Sequence, residues 1–111
     1  MELKKLTWEE AQKEINDGVV YLEFTTTWCG DCKMMSPIVK QVENHFKDEP
    51  RLKMINVDAE EAQLFRKEGT KFEVLRVPTH IVLKDGEILN KGFEYFPKDI
   101  IIEWIESALK K

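Results

Sequence analysis

The apolar positions along the chain alternate between helical and strand-like spacing. Thr7 to Asn16 predicts a helix: Thr7 can cap it, Glu10 completes a capping box, and Gly18 can end it. Val19 to Phe24, VVYLEF, is a short apolar run with one acid and predicts a buried strand. Cys32 to Phe46 returns to a helical pattern, broken or kinked by Pro37. Leu52 to Val57 predicts a second buried strand that ends at Asp58, and Ala59 to Glu68 a short helix with Gly69 as its C-cap. Thr70 to Val77 is less regular and leads to Pro78. Thr79 to Lys84 and Glu87 to Phe93 then predict a hairpin about Asp85-Gly86, a type I′ turn signal. In the last predicted helix, Pro97 to Leu109, Ile101, Trp104, Ile105, Ala108 and Leu109 share one face.

The predicted order is α-β-α-β-α-β-β-α. Helices between strands imply parallel pairing with helices on both faces of the sheet, and the hairpin adds an antiparallel edge. The expected class is α/β, a central mixed sheet flanked by helices on both faces. The length of 111 residues suits a single domain, 1–111, and a hydrophobic content of 42% suffices for one core. A net charge of −4 without a basic cluster argues against nucleic acid or an anionic membrane as partner. No apolar run approaches the ~20 residues of a membrane span. The N-terminus lacks the apolar core of a signal peptide, which predicts a cytoplasmic protein.

Both cysteines of the chain, Cys29 and Cys32, fall at the carboxyl end of the first predicted strand, where sites in open α/β sheets gather. At a helix start, Cys29 would lie near unpaired backbone N–H groups and the positive end of the dipole, which favour thiolate. Cys32, one turn in, would be more buried. Cys29 could then attack a disulfide and Cys32 resolve the mixed disulfide. Three other readings compete. A structural zinc site wants four ligands, and His45 and His80 lack the spacing of a finger. A structural disulfide here would close too short a loop to stabilise much. The spacing could also be coincidental. Redox chemistry is the favoured reading.

Taken together, Phe24, Trp28-Cys29-Gly30-Asp31-Cys32-Lys33-Met34, Pro37, Asn56-Val57-Asp58, Val77-Pro78-Thr79, Lys84-Asp85-Gly86 and Gly92 resemble the thioredoxin family over nearly the whole chain. The resemblance implies a thioredoxin-fold disulfide reductase with Cys29 as nucleophile and Cys32 as resolving cysteine. It implies a cis bond before Pro78, and an apolar docking surface of Trp28, Val77, Pro78, Gly92 and Phe93. Glu23 matches the family's buried acid, which helps take the proton of the resolving cysteine. The implied partners are protein disulfides and a thioredoxin reductase as electron donor, with the chain a monomer. No cofactor is expected, since no Gly-rich nucleotide motif is present. The alternatives are a specialised reductant of one client, such as a peroxidase, and a binding module whose cysteines are incidental.

Several positions depart from the family pattern. Met54 stands where a lysine usually partners the buried acid, and Lys53 should face the other way. His80 replaces an apolar residue on a strand expected beside Glu23, which suggests a Glu23–His80 pair sharing the proton of Cys32. Arg76 precedes the docking residue Val77 and suggests a positive rim for acidic substrates. Asp31 replaces the motif's proline. At ~8 Å and an effective dielectric of ~40 its charge opposes a Cys29 thiolate by about 1 kcal/mol. The restored backbone N–H could bond the sulfur and act in the opposite sense.

Overall fold

A computed structural model describes residues 2–111. The order is β1 (Leu3–Lys5), α1 (Trp8–Glu14), β2 (Val19–Thr25), α2 (Gly30–His45), β3 (Leu52–Asp58), β4 (Thr79–Lys84), β5 (Glu87–Phe93) and α3 (Lys98–Leu109). The five strands form one mixed sheet in the order β1-β3-β2-β4-β5. β1 and β2 run parallel to β3, and β4 pairs antiparallel with both β2 and β5.

Strand alternation divides the core into two layers. Val20, Leu22, Phe24, Ile55, Val57, Ile81 and Leu83 pack with Ala11 and Ile15 of the α1 side. Val19, Tyr21, Met54 and Val82 pack on the other face with Met35, Val39 and Val42 of α2 and Ile101, Ile105 and Ala108 of α3. The two faces are therefore closed by different helices, as the sequence pattern predicts.

Local chemistry sets the element ends. Thr7 Oγ1 accepts from the Glu10 amide at 3.1 Å, and Glu10 Oε1 accepts from the Thr7 amide at 3.0 Å, completing the expected capping box. Asp85 and Gly86 have φ of 50° and 84°, the two positive values of a type I′ turn. α2 continues unbroken through Pro37.

Two features depart from the sequence pattern. β1 has no counterpart in it, because three residues, LKK, with two exposed lysines carry no readable alternation. The helix expected over Ala59–Glu68 is absent, and the segment is a chain of turns with Gln63 at φ 58° and Arg66 at φ 61°. Asp58 Oδ1 accepts from the amides of Glu60 and Glu61, and Arg66 donates its amide to the Val74 carbonyl at 2.7 Å. Those bonds replace a helical ladder, and Ala59 is buried while Leu64 and Phe65 pack against the core. Tertiary burial outweighs the local helical pattern.

Gly92 carries a packing constraint of its own. It is buried, and a Cβ there would run into the Phe96 ring and approach Trp104 Cη2 to 3.1 Å. Like Val77 and Pro78 it is buried, and it lies against the Phe96 ring. Gly92→Ala should destabilise the fold by about 1–3 kcal/mol through overpacking. A lowered urea midpoint with an unchanged m-value would show this.

Candidate active site

β2 ends and α2 begins within a few residues, which places the cysteine pair at the sheet's carboxyl edge. Cys29 is the N-cap of α2, in extended conformation at φ −76° and ψ 113°, and its Sγ accepts from the Cys32 amide at 3.0 Å. The sulfur thus takes up one of the unpaired donors of the first helical turn. Cys29 and Cys32 are joined as a disulfide with Cα atoms 5.3 Å apart. The bond to sulfur comes from Cys32, so the amide of Asp31 does not have the role expected for it. Gly30 and Asp31 are exposed in that turn, and nothing lies within 4 Å of a Cβ built on Gly30.

The burial order of the two cysteines is the reverse of expectation. Cys29 is 4% exposed and belongs to the α1-side core with Ala59 and Val77, whereas Cys32 is half-buried at its margin. An N-cap residue leads out of the sheet and still lies on the core, while the first helical turn rises toward solvent.

Behind the pair, Glu23 is 4% exposed on β2. Its Oε1 accepts from Asn56 Nδ2 at 2.9 Å, and the same amide donates to Thr25 Oγ1 at 3.0 Å. Burial raises the Glu23 carboxyl from 4.5 to about 7, opposed by the Asn56 bond and assisted by the charge of Glu43. Glu23, Asn56, Thr26, Cys29, Cys32 and Glu43 line one cavity of about 350 Å³. Thr26 Oγ1 is the one buried side-chain polar atom without a partner among the described residues.

Glu23 and His80 do lie opposite each other in the β2–β4 register, as the sequence suggests. They are not bonded to each other. His80 Nε2 donates to the Glu94 carbonyl at 2.8 Å, which leaves Nδ1 to accept from Tyr21 Oη at 2.7 Å. Burial holds the ring neutral, with its pKa pushed down from 6.5 to about 4. Burial likewise pushes the Tyr21 phenol well up, with the Glu23 charge adding to it. The partner of the acid is thus the neutral amide of Asn56, two residues beyond Met54. Met54 is buried in the α2/α3 layer, and Lys53 reaches across the other face to the Glu14 carbonyl at 2.7 Å. Sequence reasoning missed Asn56 as a site residue: strand period puts it on the same face as Met54, and the parallel register sets it directly opposite Glu23.

On the other side of the disulfide, Trp28 is 56% exposed. Its Nε1 donates to Glu60 Oε1 at 2.8 Å, and its ring meets Phe65 edge-on with centroids 5.4 Å apart. Trp28, Phe65, Arg66, Arg76, Val77 and Glu94 are among the residues that line a shallow groove. The Val77–Pro78 peptide is cis, as expected. Arg76 pairs with Glu94 at 3.1 Å, so the cation expected to form a positive rim is offset. Arg66 lies over the Phe65 ring at 5.1 Å and also faces this groove; sequence reasoning missed it, because the turn that brings it there has no local signature.

The thioredoxin family model matches residues 2–107. The chain belongs to the thioredoxin family. A thioredoxin of Mycoplasmopsis pulmonis is 40% identical over 109 residues, covering 97% of this chain and 100% of that protein. A thioredoxin of Bacillus subtilis is 32% identical over 109 residues, covering 98% and 100%. Among solved structures, chloroplastic thioredoxin z has a TM-score of 0.78 at 19% identity over 100% of this chain and 97% of its own. A mutant thioredoxin from Halobacterium salinarum has a TM-score of 0.77 at 23% identity, over 97% and 91%. These two likenesses concern the fold. With the cysteine pair intact, the thioredoxin-family chain is a thiol-disulfide oxidoreductase that reduces protein disulfides. Among the described residues, no helix is long and apolar enough to cross a membrane.

The raised Glu23 carboxyl makes stability fall with pH. Between about pH 4.5 and 7 the folded chain holds a proton that the unfolded chain has lost. The associated stability is full below that window and is lost as pH rises through it, by up to about 3 kcal/mol. Glu23→Gln should remove this slope and stabilise the oxidised protein at pH 8. Urea unfolding of both proteins from pH 4.5 to 8 measures it; parallel profiles would refute the assignment.

Proposed function

We propose that Cys29 is the attacking cysteine, Cys32 the resolving one, and Glu23 the base that takes the proton of Cys32. The observation that carries this reading is the helix amide on Cys29 Sγ, with the Glu23 carboxyl lining the cavity behind the pair. In the reduced protein that donor and the helix dipole favour thiolate on Cys29. The Cys29 thiolate attacks one sulfur of a client disulfide, forming a mixed disulfide and releasing the first client thiolate. Glu23 takes the Cys32 proton. The Cys32 thiolate then attacks Cys29 Sγ, the Cys29–Cys32 bond forms, and the second client thiolate leaves. Two electrons have passed to the client. A carboxyl near 7 suits this proton transfer at neutral pH.

The client docks as an extended segment over Trp28, Val77 and Pro78. Among the described residues, neither the amide nor the carbonyl of Val77 has a hydrogen-bond partner, which supports pairing with a client backbone. Asp31, exposed between the two cysteines in the first turn of α2, tunes which clients approach. The reading includes a cytoplasmic setting, a monomeric chain, and a thioredoxin reductase that supplies two electrons to restore the dithiol. The narrower alternative, service to one client class, draws on the Trp28–Glu60 bond and the Phe65 wall that frame the groove.

Cys32→Ser should trap a client as a stable mixed disulfide on Cys29, visible as a reducible band, whereas Cys29→Ser should trap none. Trapping by Cys29→Ser alone would reverse the assignment. Glu23→Gln should slow resolution of the mixed disulfide at pH 7 by about 100-fold while leaving the first attack nearly unchanged, the size expected for loss of a general base. Stopped-flow fluorescence separates the two steps. The reduction potential should lie near about −270 mV in glutathione or dithiothreitol buffers, as for a reductant; a value above about −180 mV would mean oxidation or isomerisation instead.

A further inference from the structure

Beneath the docking groove a chain of hydrogen bonds runs from the buried core to the surface. Tyr21 Oη donates to His80 Nδ1 at 2.7 Å, and His80 Nε2 donates to the Glu94 carbonyl at 2.8 Å. Glu94 returns its amide to the Pro78 carbonyl at 2.7 Å, and its carboxylate meets Arg76 at 3.1 Å. Tyr21 and His80 are 1% and 0% exposed, whereas the side chains of Arg76 and Glu94 are 69% and 43% exposed. The Phe96 ring meets the imidazole edge-on, with centroids 5.9 Å apart.

Glu94 sits at φ 66°, a left-handed conformation that a residue with a Cβ rarely adopts. Something must hold it there, and its two backbone bonds do: the amide to Pro78, the carbonyl to His80. A left-handed residue at the end of β5 turns the chain, and that turn aims the carboxylate across the groove at Arg76. Thr79 fixes the other side, since its Oγ1 donates to the Arg76 carbonyl at 2.5 Å. A histidine with both ring nitrogens engaged and no exposed surface has no route to the client. Its reach to the surface is through the backbone of Glu94.

We propose that His80 is a positioning residue for client selection: it holds Glu94 against Arg76 and thereby cancels the positive charge beside Val77. The groove then presents a balanced pair at this end. Arg66, which has no carboxylate partner among the described residues, supplies its uncompensated cation. An aliphatic residue in place of His80 would free the Glu94 carbonyl, loosen its backbone, and let the carboxylate leave Arg76. Arg76 would then attract acidic client segments. The inference rests on the docking role proposed above for Val77.

The test uses the reduced full chain and two disulfide peptides, identical except for Asp or Lys beside the reactive cysteine. Stopped-flow tryptophan fluorescence gives the second-order rate for each, and the Asp-to-Lys ratio is the readout. His80→Leu should raise that ratio about two- to fivefold, the range of an exposed charge pair. Glu94→Gln should raise it equally, and the double variant no further. His80→Gln, whose amide can still donate to the Glu94 carbonyl, should keep the parent ratio. A purely structural histidine would alter stability and leave the ratio unmoved.

An unshifted ratio in His80→Leu, or in Glu94→Gln, overturns the proposal. Should His80→Leu fail to fold, His80→Phe decides: it keeps a ring among Tyr21 and Phe96 and removes the Nε2 donor to the Glu94 carbonyl, and an unshifted ratio there overturns the proposal equally. Val77→Asn, which adds no charge, separates the two layers of inference. Slower reaction with both peptides upholds the docking reading, so that an unmoved ratio in the other variants then counts against His80 alone. Unchanged rates in Val77→Asn overturn the docking reading and the His80 assignment together.

Discussion

The reactive end of the molecule depends on the hydrogen bond from the Cys32 amide to Cys29 Sγ at 3.0 Å. It is a helix cap and an electrostatic device at once. A helix start leaves backbone donors unpaired, and here a sulfur accepts one of them. The cap fixes where α2 begins, and so how close the two sulfurs lie. It also directs partial positive charge at the atom that must bear negative charge during reaction. Because β2 is the central strand, paired on both sides by β3 and β4, the position of that cap is set by the most fully paired part of the sheet.

Behind the cap, the electrostatics follow from what surrounds Glu23. The carboxyl is buried with a neutral amide, not a cation, as its hydrogen-bond partner. A neighbouring cation would favour the charged form and hold the pKa down. Asn56 offers a single donor, too little to offset burial, and Glu43 adds repulsion, so the carboxyl stays protonated up to about pH 7. The same burial that costs stability at high pH gives the group a proton affinity suited to a thiol. Function and stability are opposed at this residue through one cause, desolvation.

The docking side is assembled by a segment without regular structure. Residues 59–77 carry Glu60 to the Trp28 indole, Phe65 to its ring edge, and Arg66 to the groove. Across the groove, the end of β5 brings Glu94 to Arg76. Sheet edges and turns set this wall, and its charge balance depends on a contact between residues 18 apart in the chain.

The sequence by itself determined the two-period pattern, the capping box of α1, the type I′ hairpin and the place of the cysteines at a strand-to-helix junction. These features are local: a cap needs residues three apart, a strand needs alternation, and a turn needs two positions that tolerate positive φ. The resemblance to the thioredoxin family pointed to Glu23, and the expected place of His80 on the strand beside it agrees with the β2–β4 register. The tertiary structure decided which partner each side chain took. Glu23 turned to Asn56, and His80 to Tyr21 and Glu94, because a buried polar atom takes the donor or acceptor within about 3 Å and not its nominal register mate. It also decided that Ala59–Glu68 would not be a helix and that Gly92 would lie beneath Phe96. Both outcomes come from burial against residues distant in sequence, which no local pattern encodes.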